Sequence, residues 1–208
     1  MGNSEVCEEY RNFLNTQESE KPVKFSEDKK NFFSWINEWK KLMNLDFSMA
    51  SRHFYLEGRH LDQLSQGLIC RAESEVLVVN PFVTQCDLSD TLRNAGKRGI
   101  EVRLITRPPD DKKLQYRKEK EEYHATLKQE GIFLTYNKKA HAKLIVIDRV
   151  VGIVSSMNFY SGSSGGASWE AGLISVEETV VETIANSILN LLELPETKEL
   201  EIAHMNYC

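Results

Sequence analysis

The 208-residue sequence predicts an α/β domain, a mixed β-sheet flanked by helices, with a small helical N-terminal extension. Short, near-continuous aliphatic runs such as VLVVN from Val76 and KLIVID from Lys143 have the character of strands buried on both faces. They alternate with stretches of helical period through the middle of the chain. Several strand-like segments then follow one another, which points to a mixed sheet.

Taken in order, the first 25 or so residues are acidic, polar and unpatterned. Ser26 stands where a helix cap is wanted, with Glu27 and Asp28 facing the positive end of the dipole. Phe32, Ile36, Trp39 and Met43 then recur at helical spacing, so 27–44 reads as an amphipathic helix. LDFSMASRHFYLEG reads as a connection, and Leu61, Leu64 and Leu68 mark a second helix over 59–72. VLVVN is the first strand. LSDTLRNAGKRG is a helix ending on Gly96 or Gly99, and IEVRLIT is the next strand. Pro108 and Pro109 break the chain before a helix that ends at Gly131. IFLTY, KLIVID and VVGIVSS follow as strands. The Gly/Ser loop SGSSGGASW leads into the strand EAGLISV and a last helix over about 177–193. The organisation expected is an acidic, partly helical extension over 1–50, a catalytic domain over 51–194 and a tail over 195–208.

Composition narrows the function. With 41% hydrophobic and 27% charged residues the chain holds enough apolar material for one core without disulfides or a structural metal. Cys7, Cys70, Cys86 and Cys208 form no C-x-x-C pair, so free thiols in a reducing compartment are expected. No apolar run reaches the roughly 18 residues of a membrane span, and the N-terminus lacks a signal peptide's basic and apolar regions. Gly2 is followed by Val6 where a myristoylation motif wants Ser or Thr. A cytoplasmic protein without integral membrane association is the expectation. The net charge of −5 argues against indiscriminate coating of nucleic acid. Between Lys97 and Arg149, however, 14 Lys/Arg meet 8 Asp/Glu, a local excess of six positive charges. Such a mixed run is ordinarily a solvated helix face. Beside an anionic site it would instead be a basic rim.

His141 and Lys143 open H-A-K-L-I-V-I-D, and strand alternation would put both on one face at the start of a buried strand. Lysine is rarely buried unless paired, and a neutral imidazole beside a fixed positive charge is a nucleophile with an anion seat next to it. Ser155, Ser156 and Asn158 end the next strand, where hydroxyl and amide donors suit the non-bridging oxygens of a phosphate. Glu170 lies beyond the glycine-rich loop. A carboxylate there would accept the second ring N–H of His141 and fix its tautomer.

These residues resemble the signature of the phospholipase D superfamily: H-x-K-x4-D, then G-S-x-N about six residues on, then a glutamate about a dozen residues later. Here it reads His141-x-Lys143-x4-Asp148, Ser155-Ser156-Met157-Asn158, Glu170. The resemblance extends over roughly 55–193 and takes in Asn80–Phe82 (NPF) and AGKRGIEVRLIT. Ser155 replaces the motif's glycine, a departure that would disturb the phosphate seat if the position needed positive φ or a close backbone approach. The resemblance implies a phospholipase D-like fold. It also implies that His141 is the nucleophile of a phosphohistidine intermediate and that Lys143, Ser156 and Asn158 bind phosphate. Glu170 would orient the histidine, and Asp148 would complete the motif in a more structural role. Such enzymes use two H-x-K motifs, one histidine attacking and one protonating the leaving oxygen. His53, His60, His124 and His204 have no lysine two residues later, so a homodimer sharing a composite site is expected.

No cofactor and no metal is expected, since no H-E-x-x-H or clustered acidic set is present. The fold does not choose the phosphodiester. Small size, the single motif and the basic stretch favour an endonuclease acting on DNA or RNA, with Lys112, Lys113, Arg117 and Lys118 as backbone-phosphate contacts. Tyr116, Tyr123, Tyr136, Phe159 and Tyr160 are expected first as ordinary core or surface aromatics, with stacking on exposed bases as the alternative. A hydrolase acting on phospholipid or another small phosphodiester, and a non-catalytic module that keeps the fold, are the alternatives.

Overall fold

The computed structural model describes residues 36–38, 40–41, 52–110, 114–164 and 167–193. The chain divides into two compact units, 1–45 and 46–208. In the first, residues 36–38 and 40–41 are helical and Ile36 is buried, within the helix expected over 27–44. Phe32, Trp39 and Met43 lie outside the described residues, as does the expected tail.

The second unit holds one seven-stranded sheet in the order β1-β7-β6-β5-β2-β3-β4. The strands are β1 His53–Glu57, β2 Glu75–Val79, β3 Glu101–Thr106, β4 Ile132–Tyr136, β5 Leu144–Ile147, β6 Val151–Ser155 and β7 Ala171–Ser175. The helices are α1 Gly58–Cys70, α2 Asp87–Lys97, α3 Leu114–Gln129 and α4 Glu178–Leu192. β2, β3 and β4 are parallel and joined by the crossover helices α2 and α3. β5, β6, β7 and β1 each run antiparallel to their neighbours. The mixed sheet expected from the sequence is therefore present, with β5 as the hinge between its parallel and antiparallel halves.

The aliphatic runs are core strands. Val76, Leu77, Val78 and Val79 are all buried, because β2 sits mid-sheet with helices on both faces. α4 covers one face, packing Val181, Ala185 and Ile188 on Leu77, Val79, Ile105 and Val146. α1 lies on the other face, beside Gly172 of β7. α1 packs on α2, and α2 is bridged to α3 by the Ser89 and Tyr123 hydroxyls, 2.7 Å apart. Gly99, with φ +84°, is the residue that ends α2; Gly96 lies within the helix.

One strand lies within the segment expected as a connection. His53–Glu57 forms β1, on the edge of the sheet, and alternates exposed and buried residues. Only Phe54 and Leu56 face the core, and its partner β7 lies far along the chain, paired Tyr55 to Leu173. Cys86 is a buried free thiol, and among the described residues no helix is long and apolar enough to cross a membrane.

Candidate active site

The parallel strands β2, β3 and β4 end on the same edge as β6 and β1, and the antiparallel β5 and β7 begin there. Open α/β sheets bind ligands at that carboxyl edge, where strands stop and loops diverge. His141 and Lys143 arrive there just before β5. Ser156 and Asn158 leave from β6, and Glu170 immediately precedes β7. Five residues spread over thirty positions are thus gathered on one edge by three adjacent strands.

His141 and Lys143 are not on the strand, contrary to the alternation argument. The paired ladder begins at Leu144, opposite Val79 and Val154, and only one further bond, Ser155 N–H to the Lys143 carbonyl at 3.0 Å, extends it. Lys143 donates its ammonium to the His141 carbonyl at 2.9 Å, which folds the segment and places the positive charge against the histidine's own backbone. His141 is exposed and Lys143 half-buried.

Ser156 is held from two sides. Its N–H bonds the Ala171 carbonyl at 2.9 Å, and its hydroxyl accepts from Ala171 N–H at 3.1 Å while donating to Glu170. The second Glu170 oxygen accepts from the Ser163 hydroxyl. Both carboxylate oxygens are therefore engaged by hydroxyls, and the expected bond from His141 to Glu170 is not made. Instead Glu170 ties the β6 terminus to the following loop. Ser163 also accepts from Asn158 N–H at 2.9 Å, and buried Ser164 donates to buried Asp62 at 2.9 Å. Ser163 and Ser164 carry no motif signal, since the sequence shows only a Gly/Ser loop there. Both serines are buried. The Asn158 carboxamide oxygen is buried with no hydrogen-bond partner.

Ser155 does not adopt positive φ, so the departure from the motif glycine brings no backbone strain. Room for its side chain comes from Gly172, its cross-strand partner. A Cβ at 172 would stand 3.0 Å from that of Ser155 and 2.8 Å from Leu61 Cδ1. Asn80 supports the same loop, donating to the Met157 carbonyl at 3.0 Å and accepting from the Phe82 and Phe159 N–H groups. Its place between a strand end and a proline was the available sequence signal.

Asp148 does not belong with the other five. It lies at the far end of β5, roughly 13 Å of strand away from Leu144 at about 3.3 Å per residue. Its carboxylate accepts from the N–H groups of Glu73, Ser74 and Glu75 at 2.8–3.0 Å, and from the Ser74 hydroxyl at 2.7 Å. A carboxylate with four donors on a turn clamps β5 to the start of β2. The motif groups it with catalytic residues by spacing alone.

The basic stretch is dispersed. Lys97 pairs with Glu130, Arg103 with Glu101, and Arg149 with Glu75 and Glu182; Glu75, Glu101 and Arg149 lie on the edge away from the site. Arg117 and Lys118 are exposed in the first turns of α3, Arg117 3.9 Å from Glu121. Lys112 and Lys113 lie outside the described residues. Of the five aromatics, Phe159 and Tyr136 are core, and the Tyr123 hydroxyl is held by Ser89 and Asp90. Tyr116 and Tyr160 are exposed beside Phe82.

Residues 66–192 match the family described as "Cardiolipin synthase, PLD-like domain". The chain belongs to the phospholipase D-like family. No curated protein matches it. Among solved structures the fold is similar to the phospholipase D family member Nuc from Salmonella typhimurium, with TM-score 0.57 and 17% identity over 66% of this chain and 93% of that one. NucT from Helicobacter pylori gives TM-score 0.54 and 13% identity over 68% and 95%. Phosphatidylserine synthase from Haemophilus influenzae gives 0.52 and 14% over 71% of this chain but 41% of that one.

Proposed function

We propose that this phospholipase D-like protein is a metal-independent phosphodiesterase, an endonuclease on DNA or RNA, working through a phosphohistidine in a homodimer. The observation that carries the reading is the gathering of His141, Lys143, Ser156, Asn158 and Glu170 on the carboxyl edge of the sheet. His141 suits the nucleophile because it is exposed, with a lysine ammonium bound to its own carbonyl. Its ring nitrogen attacks phosphorus, a P–N bond forms, and the bond to the leaving oxygen breaks. The second copy's His141 gives that oxygen its proton. Water then attacks phosphorus, the P–N bond breaks to release the first histidine, and the water's proton passes to the second, restoring both. Lys143 and the Asn158 amide stand where the non-bridging oxygens gather charge. Ser156, fixed by Glu170, shapes the seat.

Two features support the dimer. The sequence carries one H-x-K, at His141 and Lys143, and the chain matches nearly all of Nuc and NucT but under half of the synthase. On the α4 face, Val154, Leu173 and Tyr55 form one cross-strand row, 44%, 49% and 52% exposed, next to Leu144 at the edge of the site. Three apolar side chains in register on a sheet face beside an incomplete site suit a self-complementary contact. The family description and the synthase neighbour favour one second reading, a phospholipid phosphodiester as substrate.

The test is direct: wild type and His141→Ala are incubated in excess EDTA with plasmid, single-stranded DNA, RNA and phosphatidylcholine vesicles. Cleavage of nucleic acid by wild type alone supports the nuclease. Cleavage of the vesicle lipid alone moves the phospholipid reading ahead. A His141→Ala protein keeping more than about a tenth of the activity removes His141 as nucleophile, since each decade is about 1.4 kcal/mol of barrier.

A further inference from the structure

Phe82, Tyr116, Tyr160, Gln85, Lys120 and Asn158 are among the residues lining a cleft of about 730 Å³ between the loop after β2, the first half of α3 and the loop after β6. That volume is in the range of small-molecule sites. Three of its walls are aromatic rings left in solvent: Phe82 40%, Tyr116 52% and Tyr160 37% exposed. Exposed large rings are costly unless they meet something. The Lys120 ammonium stands 5.7 Å from the Phe82 ring centroid, bringing positive charge to the same wall.

Asn158 makes the cleft continuous with the active site, because it lines the cleft and also belongs to the phosphate seat. A carboxamide has two ends. Its N–H end can donate to a phosphate oxygen, while its oxygen is buried beneath the cleft wall without a partner.

We propose that this cleft holds the unpaired nucleobase adjoining the scissile phosphodiester, so that the enzyme cuts single-stranded nucleic acid in preference to duplex. The inference rests on the nuclease reading and specifies its substrate. The chemistry fits a flat heteroaromatic better than an acyl chain. Rings on the walls stack on π-faces, and Gln85 and Lys120 meet polar base edges. An acyl chain would instead meet a lysine and two amides along its path. A base within a duplex is stacked and paired, so it enters only after being splayed out.

The experiment compares cleavage of a single-stranded oligonucleotide, its duplex, and a single strand of abasic residues, using wild type, Tyr116→Ala/Tyr160→Ala and Tyr116→Phe/Tyr160→Phe. Wild type should cut the single strand at least about tenfold faster than either other substrate. The double alanine variant should lose at least about tenfold in kcat/KM on the single strand and little on the abasic strand, because both changes remove one stacking contact. The phenylalanine pair keeps the rings and should stay within about threefold of wild type. Thermal melting confirms that the variants fold, as expected for exposed side chains. If the alanine variant cuts the single strand like wild type, or wild type cuts duplex and abasic strands equally fast, the cleft proposal fails while the nuclease stands. If wild type cuts none of the three nucleic acids, both fall.

Discussion

His124 provides the strongest test of how this core responds to pH. It is 1% exposed, with Nε2 2.9 Å from the Val83 carbonyl and Nδ1 3.2 Å from the Tyr136 hydroxyl. A carbonyl only accepts, so Nε2 carries the proton and Nδ1 accepts from Tyr136. Burial is the main cause that pushes this imidazole down to about 4 from 6.5, with Lys120 and Lys128 adding repulsion against the Val83 carbonyl's opposing pull. Above pH 6.5 the ring is neutral folded or unfolded, and the fold's stability is intact. As pH falls, the unfolded chain takes up the proton and the folded one does not, so stability is lost between 6.5 and about 4. The whole window amounts to about 3 kcal/mol at 1.36 kcal/mol per pH unit, and about 2 kcal/mol is gone by pH 5. For a chain of this size that is a fall of about 4–8 °C in melting temperature. Melting would be followed from pH 7.5 to 4.5 in wild type and His124→Gln, whose amide keeps a donor for Val83 but does not titrate. Wild type should lose about 2 kcal/mol more than the variant between pH 7 and pH 5. Parallel curves would refute the assignment, because titrating carboxylates are common to both proteins.

Asp148→Ala should cost about 2–4 kcal/mol by stranding the Glu73–Glu75 donors and leaving alanine at φ +49°, while kcat per folded molecule stays within about twofold; a large kcat loss at unchanged stability would return Asp148 to the chemistry. Light scattering should give about twice 23.9 kDa, and Tyr55→Glu with Leu173→Glu should yield an inactive monomer; an active monomer would refute the composite site. With inactive His141→Ala protein, reversing charge at Lys112, Lys113, Arg117 and Lys118 should flatten the log–log salt dependence of DNA binding by roughly 0.7–0.9 per lost phosphate contact. Neutralising the ion-paired Lys97, Arg103 and Arg149 should leave that slope unchanged, and equal effects of both sets would mean a diffuse field without a track.

Strands such as VLVVN were legible because burial on both faces demands an unbroken aliphatic run, a pattern local to the segment. β1 was not legible for the complementary reason. HFYLE buries only Phe54 and Leu56, and what makes it a strand is β7, a partner formed much later in the chain. The site divides along the same line. Its residue types and their order stand in the sequence, and all but Asp148 converge on one edge. Their hydrogen bonding is decided by neighbours that carry no motif: Ser163 takes the Glu170 oxygen that His141 was expected to approach.

The coupling of Ser155 to Gly172 shows why spacing alone misjudges a departure from a motif. Read along the chain, serine for glycine is a loss of conformational freedom. Read across β6 and β7, the volume added at 155 is matched by volume absent at 172, and Leu61 of α1 closes over the pair. Steric demand belongs to the pair, so the motif's glycine can be given up where the facing strand supplies one. The neighbouring Ser156 N–H still reaches the Ala171 carbonyl at 2.9 Å, and its hydroxyl still donates to Glu170. A Gly172→Ala chain would force that methyl to within 3.0 Å of both Ser155 and Leu61, and the strand spacing that seats Ser156 would have to open. The residue that sets the strand spacing behind Ser156 is therefore one that belongs to no signature.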